Sequence, residues 1–220
     1  TAQMLAFAGR GRLVEETIDL NRLVEDMAHL LETAVSKKAR MEFAFAKEPP
    51  VVVGDATQLR QIVMNLITNA SEALGDRDGA IRLSTGVLDA DREYLAGCYL
   101  DDKMAPGRFA FVEVSDDGAG MDEPTLRKIF EPFFTTKFNG RGLGLSAVLG
   151  IVRAHNGASR VTSAPGFGTS FRVLITASDR RPVYVQDVAR IVVGAKPEER
   201  RAWHFAKQKD GTLDMRPAVT

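Results

Sequence analysis

The clearest hydrophobic pattern along the chain is an apolar stripe between residues 56 and 74. Apolar residues recur there every three or four positions, as on one face of an α-helix, at Leu59, Ile62, Val63, Leu66, Ile67, Ala70 and Leu74. Asp55 directly precedes the stripe and is a residue type that favours a helix N-cap. The pattern therefore predicts an amphipathic helix over 56–74, packed through this stripe against the core.

Upstream of this helix, the pattern predicts two strands and one further helix. Apolar and polar residues alternate loosely over 12–20 and again over 40–46, as in half-buried strands. Between them, apolar residues at helical spacing predict a helix over 21–39, with Asn21 as its cap. The segment 48–55, which contains two prolines, is interpreted as a turn.

Downstream of the helix, alternating residues predict two antiparallel strands, at 80–88 and 108–116, joined by a polar excursion over 89–107. The segment 159–177 predicts a hairpin around the turn sequence Pro-Gly-Phe-Gly. The strands of this half of the chain are therefore expected to pair mainly with their sequence neighbours.

Two more helices complete the prediction. A short one begins near Pro124, and a longer one runs from residue 144 and is ended by Gly157 at the position after the helix C-terminus. Residues 13–177 then hold about three main helices, one short helix and five or six strands. This order favours an α+β fold, with a mixed, mostly antiparallel sheet and helices on one face, over a doubly wound array.

Composition limits the classes of function. Hydrophobic residues make up 45% of the 220 positions, which is enough for a packed core. The formal net charge is zero, so the basic surface typical of nucleic-acid binding is not expected. The single cysteine, Cys98, excludes an internal disulfide and a Cys-x-x-Cys metal site, which fits a reducing cytoplasm. No apolar run approaches the roughly 18 residues of a membrane helix.

The predicted helix over 56–74 carries polar side chains along one edge of its apolar stripe. Gln58, Asn65, Asn69 and Glu72 fall on this edge at about 100° per residue. Two amides four residues apart can offer a carbonyl oxygen to a hard cation and N–H donors to a phosphate. A solvated polar face is the alternative interpretation.

The sequence Asp-Asp-Gly-Ala-Gly directly follows the predicted strand 108–116. Asp116 would stand at the mouth of a pocket, and Gly118 and Gly120 would let another group approach the backbone closely. A carboxylate in this place can accept from an exocyclic amine such as the N6 amino group of adenine. An ordinary acidic turn is the alternative.

The segment 131–146 concentrates aromatic residues and glycines. Lys137 is a candidate phosphate contact, and Gly142 and Gly144 free the backbone just before a helix whose first N–H groups can bind an anion. Neither common phosphate motif is present, since the third glycine of Gly-x-Gly-x-x-Gly is replaced by Leu145. Four phenylalanines could anchor an otherwise mobile loop: Phe130, Phe133, Phe134 and Phe138. A buried aromatic loop is the alternative.

Taken in order, these motifs resemble the catalytic ATP-binding domain of bacterial sensor histidine kinases, in the nitrogen-regulator-like subgroup. The wider superfamily includes gyrase, Hsp90 and MutL. Five segments match its N, G1, F, G2 and final glycine–threonine boxes: NLITNASEA, DDGAG, FEPFF, GRGLGL and GFGTSF. The resemblance covers 13–177 and implies the Bergerat fold, a two-layer α/β sandwich with a lid loop. ATP and Mg²⁺ are the cofactors it implies.

The resemblance also implies a role for each motif. Asn69 would hold Mg²⁺, and Asn65 would contact a phosphate or its water shell. Asp116 would accept from adenine N6, in a site shaped by Gly118 and Gly120.

A lid over the phosphates is implied for the loop 131–144, with Lys137 on it and with the phenylalanines docking and hinging it. Thr169 would lie near the adenine. The remaining ATP-binding residues that the resemblance implies are Met121, Phe130, Gly142, Leu143, Gly144 and Leu145.

Residue 65 separates two kinds of chemistry within the superfamily. ATP-hydrolysing relatives place a glutamate there, four residues before the metal-binding asparagine. Asn65 is a neutral amide and cannot act as a general base, so phosphoryl transfer to a protein side chain is favoured over hydrolysis. Glu72 is interpreted as structural or supporting. The alternatives are a gyrase-like ATPase, an anti-sigma-like serine kinase and a non-catalytic interaction domain.

No histidine of this chain is predicted to be the phosphoacceptor. His29, His155 and His204 lack the following acidic residue of the family pattern and are interpreted as structural or exposed. Residues 1–12 resemble the end of a dimerisation helix, which places the acceptor upstream, on a dimerisation domain. A response regulator would be an indirect partner. Residues 178–220 are a tail or linker of unknown role, and the resemblance leaves open a membrane anchor in a longer protein.

Overall fold

The computed structural model describes residues 14–99, 104–137, 140–179, 203–207 and 213–217. The chain divides into two compact units, Thr1–Pro182 and Val183–Thr220. The predicted helix end over 1–12 lies outside the described residues. Within the described ranges, no helix has the length and apolar character needed to cross a bilayer.

The first unit consists of seven strands and six helices among the described residues. In chain order they are β1 (Glu16–Asp19), α1 (Leu20–Glu25), α2 (Ala28–Ala34), β2 (Ala39–Ala44), β3 (Val51–Gly54), α3 (Ala56–Leu74), β4 (Gly79–Ala90), α4 (Arg92–Ala96), β5 (Gly107–Asp116), α5 (Glu123–Leu126), α6 (Gly144–Ala154), β6 (Ala158–Ala164) and β7 (Gly168–Thr176).

Five of these strands form the main sheet, in the order β2-β4-β5-β7-β6. β2 and β4 run parallel, and the other three neighbouring pairs run antiparallel. β1 and β3 form a separate antiparallel pair. The predicted α+β class with a mixed, mostly antiparallel sheet is confirmed, as is the hairpin of β6 and β7.

Helix α3 has the bounds that the apolar stripe predicted. Asp55 caps it by accepting from the backbone N–H groups of Thr57, at 2.9 Å, and Gln58, at 3.1 Å. The whole stripe is buried in one core with apolar residues of α6 and of one face of β5 and β7. Burial of such side chains, at about 1.5–3 kcal/mol each, makes this contact the main stabilising feature of the helix.

The N-terminal helix differs from the prediction. The predicted helix 21–39 is two short helices, α1 and α2, interrupted at Asp26 and Met27. Met27 is buried together with Leu23 and Leu31, so the apolar spacing continues across the break and conceals it.

The predicted cap of this helix is also wrong. Asp19 is the N-cap and accepts from the backbone N–H of Arg22 at 3.2 Å. Asn21 lies inside the first turn, where it donates to the carbonyl of Ala46 at 2.9 Å and accepts from the hydroxyl of Thr85. The segment interpreted as a turn contains β3, whose partner β1 is 32 residues or more away along the chain and gives no local signal.

The other face of the sheet carries a helix that the sequence did not predict. α4 lies within the supposed polar excursion 89–107 and is capped by Asp91, which accepts from the backbone N–H of Tyr94 at 2.7 Å. Its Leu95 is buried against Phe109 and Leu174. Only five residues long, the helix offers too few apolar positions for a periodicity to show.

His155 at the end of α6 ties this helix to the start of α3. Its Nδ1 donates to the carbonyl of Ile151 at 2.8 Å, and its Nε2 accepts from the backbone N–H of Asp55 at 3.0 Å. These two bonds require the neutral ring with its proton on Nδ1. The left-handed residue that ends the helix is Asn156, with φ of 49°, and not the predicted Gly157.

The second unit contains an antiparallel hairpin of β8 (Trp203–Lys207) and β9 (Leu213–Pro217). The sequence predicts a tail or linker of unknown role over 178–220 and places no element there.

Replacing His155 by alanine should lower the free energy of unfolding by about 2–3 kcal/mol. The change removes a buried ring and leaves the N–H of Asp55 without its partner. Urea unfolding of the full chain measures the effect. Arg153→Ala, in the last turn of the same helix but exposed, is the control and should change the value by less than about 0.5 kcal/mol. Equal values for the two variants would contradict the role given to His155.

Candidate functional site

A cleft of about 610 Å³ opens between α3, the end of β5, the segment 131–143 and the start of α6. It is lined by all the residues predicted to bind a nucleotide except Gly118 and Phe130. The predicted residues that line it are Asn65, Asn69, Asp116, Gly120, Met121, Lys137, Gly142, Leu143, Gly144, Leu145 and Thr169. Motifs up to 104 residues apart in the chain thus meet in one cavity.

The polar edge of α3 forms one wall. Asn65 donates through Nδ2 to the carbonyl of Gly144, at 3.4 Å, and so contacts the start of α6. One turn later, the Oδ1 of Asn69 accepts from the Nζ of Lys137 at 3.1 Å. The Nδ2 of Asn69 is buried and has no hydrogen-bond partner among the residues that the structure describes. The Oδ1 of Asn69 therefore accepts from a positively charged group, while its Nδ2 can still donate to a ligand.

Asp116, the last residue of β5, lies at the opposite end of the cleft. Its Oδ1 accepts from the backbone N–H of Gly118 at 2.8 Å. Burial raises the pKa of the Asp116 carboxyl above its ordinary value, and the charge of Asp117 acts in the same direction. The N–H groups of Gly118 and Thr169 and the charge of Lys137 oppose this rise.

The turn after Asp116 packs tightly against the β6–β7 hairpin. Gly120 has φ of 65°, and a Cβ at this position would lie 1.9 Å from the carbonyl oxygen of Ala164. Only glycine fits this combination of backbone angle and contact. The next residue, Met121, donates its N–H to the hydroxyl of Ser163 at 2.8 Å. The hairpin therefore fixes the position of residues 119–121, which line the cleft.

The segment 131–143, called the lid loop here, lines the cleft through residues 134–137 and 140–143. Its Lys137 contacts both Asn69 and Glu72, the latter as an ion pair. Phe133, with φ of 67°, donates its N–H to the carbonyl of Gly142 at 2.8 Å, and Gly142 itself has φ of 64°. These two left-handed residues close the ends of the loop on each other.

The phenylalanines do not all act as the sequence suggested. Phe134 lines the cleft, whereas Phe130 is half-buried behind it, edge-to-face with Tyr99 at 4.6 Å between ring centroids. Phe133 is 68% exposed, so the prediction that it anchors the loop is wrong. Phe138 lies outside the described residues.

Two contributors to the site were missed or undervalued from the sequence. Glu72 was interpreted as structural or supporting, yet it contacts the lysine of the lid loop directly. Its position three residues after Asn69, on the same helix edge, was the available signal. Ser163 hydrogen-bonds Thr169 across two strands, a contact for which the sequence has no local pattern.

Comparison with known proteins assigns the chain that forms this cleft to a family. A family model described as histidine kinase-, DNA gyrase B- and HSP90-like ATPase matches residues 54–179. The chain belongs to this family. Its members are ATPases by description, so ATP is the ligand that membership implies for the cleft, and the resemblance drawn from the five motifs is confirmed.

Several curated relatives are named as histidine kinases. The chain is 34% identical over 175 residues to the signal transduction histidine-protein kinase AtoS of Escherichia coli (strain K12), covering 79% of this chain and 26% of that protein. It is also 34% identical over 163 residues to the sensory histidine kinase/phosphatase NtrB of Rhizobium leguminosarum bv. phaseoli, covering 73% and 41%. The match thus spans less than half the length of either relative.

Solved structures show the same fold. The nucleotide-free catalytic domain of histidine kinase ThkA superimposes with a TM-score of 0.57 at 29% identity, covering 74% of this chain and 95% of that one. Full-length ShkA in complex with AMPPNP gives a TM-score of 0.63 at 25% identity, covering 80% and 35%.

Replacing Glu72 by glutamine should loosen the lid loop. The change keeps the shape of the side chain but removes the charge that holds Lys137. Both side chains are partly exposed, at 50% and 39%, so we expect the pair to contribute at most about 1 kcal/mol. Without added nucleotide, trypsin should cleave after Lys137 or Arg141 about 2- to 5-fold faster.

Glu123→Gln is the matched control for this experiment. It removes the exposed ion pair between Glu123, on α5, and Arg127, just after this helix and outside the cleft, and should leave cleavage in the lid loop unchanged. A Glu72→Gln chain cut at the wild-type rate would show that the ion pair does not hold the loop.

Proposed function

We propose that residues 13–177 are the ATP-binding catalytic domain of a two-component sensor histidine kinase. The domain would bind Mg-ATP and transfer the γ-phosphoryl group to a histidine on a dimerisation domain. The observation that carries this proposal is the shared cleft. Asp116, which can accept a hydrogen bond from adenine, lies at one end. The side chains of Asn69 and Lys137, which hydrogen-bond each other, lie at the other.

The Asp116 end suits the base of the nucleotide. An ionised carboxylate accepts only, and the 6-amino group of adenine donates. Met121 and Phe171 add apolar surface against which a purine ring can pack. The carboxylate, held by the N–H of Gly118, gives the base a fixed orientation.

The other end suits the phosphates. The first backbone N–H groups of α6, at residues 144–146, have no intrahelical acceptor and face the cleft through Gly144 and Leu145. Lys137, on the lid loop, lines the same cleft and contacts Asn69 and Glu72. We propose that its ammonium moves from Asn69 and Glu72 onto phosphate oxygens when a nucleotide binds.

Asn69 fits a divalent cation at this end. Its Oδ1 already accepts from a positively charged group, and its buried Nδ2 is free to bind a phosphate oxygen. Among the described residues, no cluster of three His, Cys, Asp or Glu side chains could form a complete metal site. A Mg²⁺ ion here would take most of its oxygen ligands from phosphates and water, as this ion usually does. When bound, it would offset the negative charge on the phosphates.

Transfer to a side chain is favoured over hydrolysis by Asn65. Its Nδ2 is directed to the carbonyl of Gly144, and an amide cannot take a proton from water at neutral pH. The position four residues before Asn69 therefore carries no general base, which disfavours a gyrase-like ATPase.

The acceptor histidine is proposed to lie outside this chain. His155 is buried with both ring nitrogens hydrogen-bonded, so it is not available to a phosphoryl group. We propose residues 1–12 as the end of a dimerisation helix and residues 178–220 as a tail. The relatives named as histidine kinases support partners of two kinds, a dimerisation domain and a response regulator.

Calorimetric titration with ADP, with and without Mg²⁺, tests the proposal on the full chain. We expect micromolar binding that Mg²⁺ strengthens. The gain in affinity for ADP on adding Mg²⁺ should be about tenfold or more smaller in Asn69→Ala than in the wild type. Asp116→Asn should weaken binding about 10- to 100-fold, since a hydrogen bond to a charged group contributes about 1.5–3 kcal/mol. Folded protein that binds no ADP would refute the proposal.

Asp117→Asn is the matched control for the base end. Asp117 is the exposed neighbour of Asp116 and accepts from the N–H of Ala80 at 2.9 Å, away from the cleft. Its substitution should leave the affinity for ADP within about twofold of the wild type.

The raised pKa of Asp116 predicts a pH dependence. The carboxyl must be ionised to accept from adenine, so affinity should be lost as the pH falls through its pKa. Because burial raises this pKa, the loss should begin above the range of an ordinary aspartate, about 4. Wild type should show the loss, Asp117→Asn should show it at a lower pH because one of the charges that raise the pKa of Asp116 is gone, and Asp116→Asn should lack this component. A wild-type profile parallel to that of Asp116→Asn would contradict the assignment.

A further inference from the structure

Ser163, on β6, makes three short polar contacts beneath the base end of the cleft. Its hydroxyl lies 2.8 Å from the backbone nitrogen of Met121, 3.0 Å from the carbonyl oxygen of Gly168 and 2.9 Å from the hydroxyl of Thr169. Thr169 is only 6% exposed and lines the cleft, whereas Ser163 does not.

The number of hydrogens determines the direction of each bond. The backbone nitrogen of Met121 can only donate, and the carbonyl of Gly168 can only accept. Ser163 has one hydroxyl hydrogen, which it therefore gives to Gly168. The hydroxyl of Thr169 must then donate to Ser163. The reverse arrangement would leave the oxygens of Ser163 and Gly168 at 3.0 Å with no hydrogen between them, which is repulsive.

This arrangement leaves Thr169 with only lone pairs for a ligand. In the sheet, Thr169 is the direct cross-strand partner of Asp116, and partners of this kind have Cβ atoms about 4.5–5.5 Å apart. The base end therefore presents two acceptors side by side, a carboxylate and a threonine oxygen. Neither of them can donate to a ligand while the Thr169 hydroxyl donates to Ser163 and Asp116 is ionised.

We propose that Ser163 is a positioning residue that sets the base specificity of the site. By accepting the hydrogen bond of the Thr169 hydroxyl, it makes this end of the cleft selective for purines with an amino group at position 6 and unfavourable for purines with an oxygen there. The inference rests on the proposed function, because it assumes that the base lies at Asp116. Ser163 itself touches no ligand and acts through Thr169.

A near-isosteric pair of variants separates this role from a packing role. Ser163→Thr keeps the hydroxyl, and Ser163→Val has nearly the same shape without it. Both β-branched residues suit a strand. In the valine variant the threonine hydroxyl is free to turn and donate to an oxygen at position 6. Melting temperatures of the two variants establish that both are folded.

The measured quantity is the ratio of the affinities for ADP and inosine diphosphate, which carry an amino group and an oxygen at position 6. We expect Ser163→Thr to keep the wild-type ratio and Ser163→Val to lower it about fivefold or more, as the gain or loss of one hydrogen bond would. Thr162→Val, at the exposed neighbouring position on β6, is the control and should leave the ratio unchanged.

A double variant tests whether Thr169 carries the effect. Once Thr169→Val has removed its hydroxyl, adding Ser163→Val should change the ratio no further. Equal ratios for Ser163→Thr and Ser163→Val, with both affinities lowered together or not at all, would overturn the inference alone. Absence of ADP binding by the folded wild type would overturn the proposed function and this inference with it.

Discussion

Two backbone hydrogen bonds at Ala119 hold together the three elements on which the site depends. Its N–H donates to the carbonyl of Ala73 near the end of α3, at 3.1 Å, and its carbonyl accepts from Gly166 in the β6–β7 turn, at 2.7 Å. Side chains play no part in these bonds, so they depend on close approach of the main chain, which the adjacent Gly118 and Gly120 permit. The position of Asp116 relative to the polar edge of α3 follows from this contact.

The features that could be predicted from the sequence are those with a local signal. The bounds of α3 follow from a 19-residue apolar stripe and a capping aspartate. The site motifs could be recognised because they combine glycines with polar side chains at fixed spacings, and few backbone geometries require such combinations. The errors lie where local signals are weak or misleading. The break at Met27 keeps the helical spacing, β3 pairs with a distant strand, and α4 is too short to show a period. Contacts between side chains of distant segments, such as Ser163 with Thr169, have no sequence pattern at all.

Two ionised side chains in the cleft, Lys137 and Asp116, each face an opposite charge or a donor. Lys137 faces Glu72, and Asp116 faces the N–H groups of Gly118 and Thr169. A nucleotide with its metal brings both signs of charge, negative phosphates and a positive ion. The same side chains can therefore exchange partners within the site without leaving a buried charge unpaired, which is the arrangement with the greatest cost.

The parallel pairing of β2 with β4 bears on the order in which the protein folds. Parallel neighbours need a long connection, and here it contains both β3 and α3. The bond between His155 and Asp55 closes a loop of 100 residues, and that between Lys137 and Asn69 one of 68. Contacts this distant lose much chain entropy before they stabilise anything, and they slow folding. The cleft should therefore assemble late, after the hairpins, and a chain still emerging from the ribosome would hold all of α3 before it could form any nucleotide site.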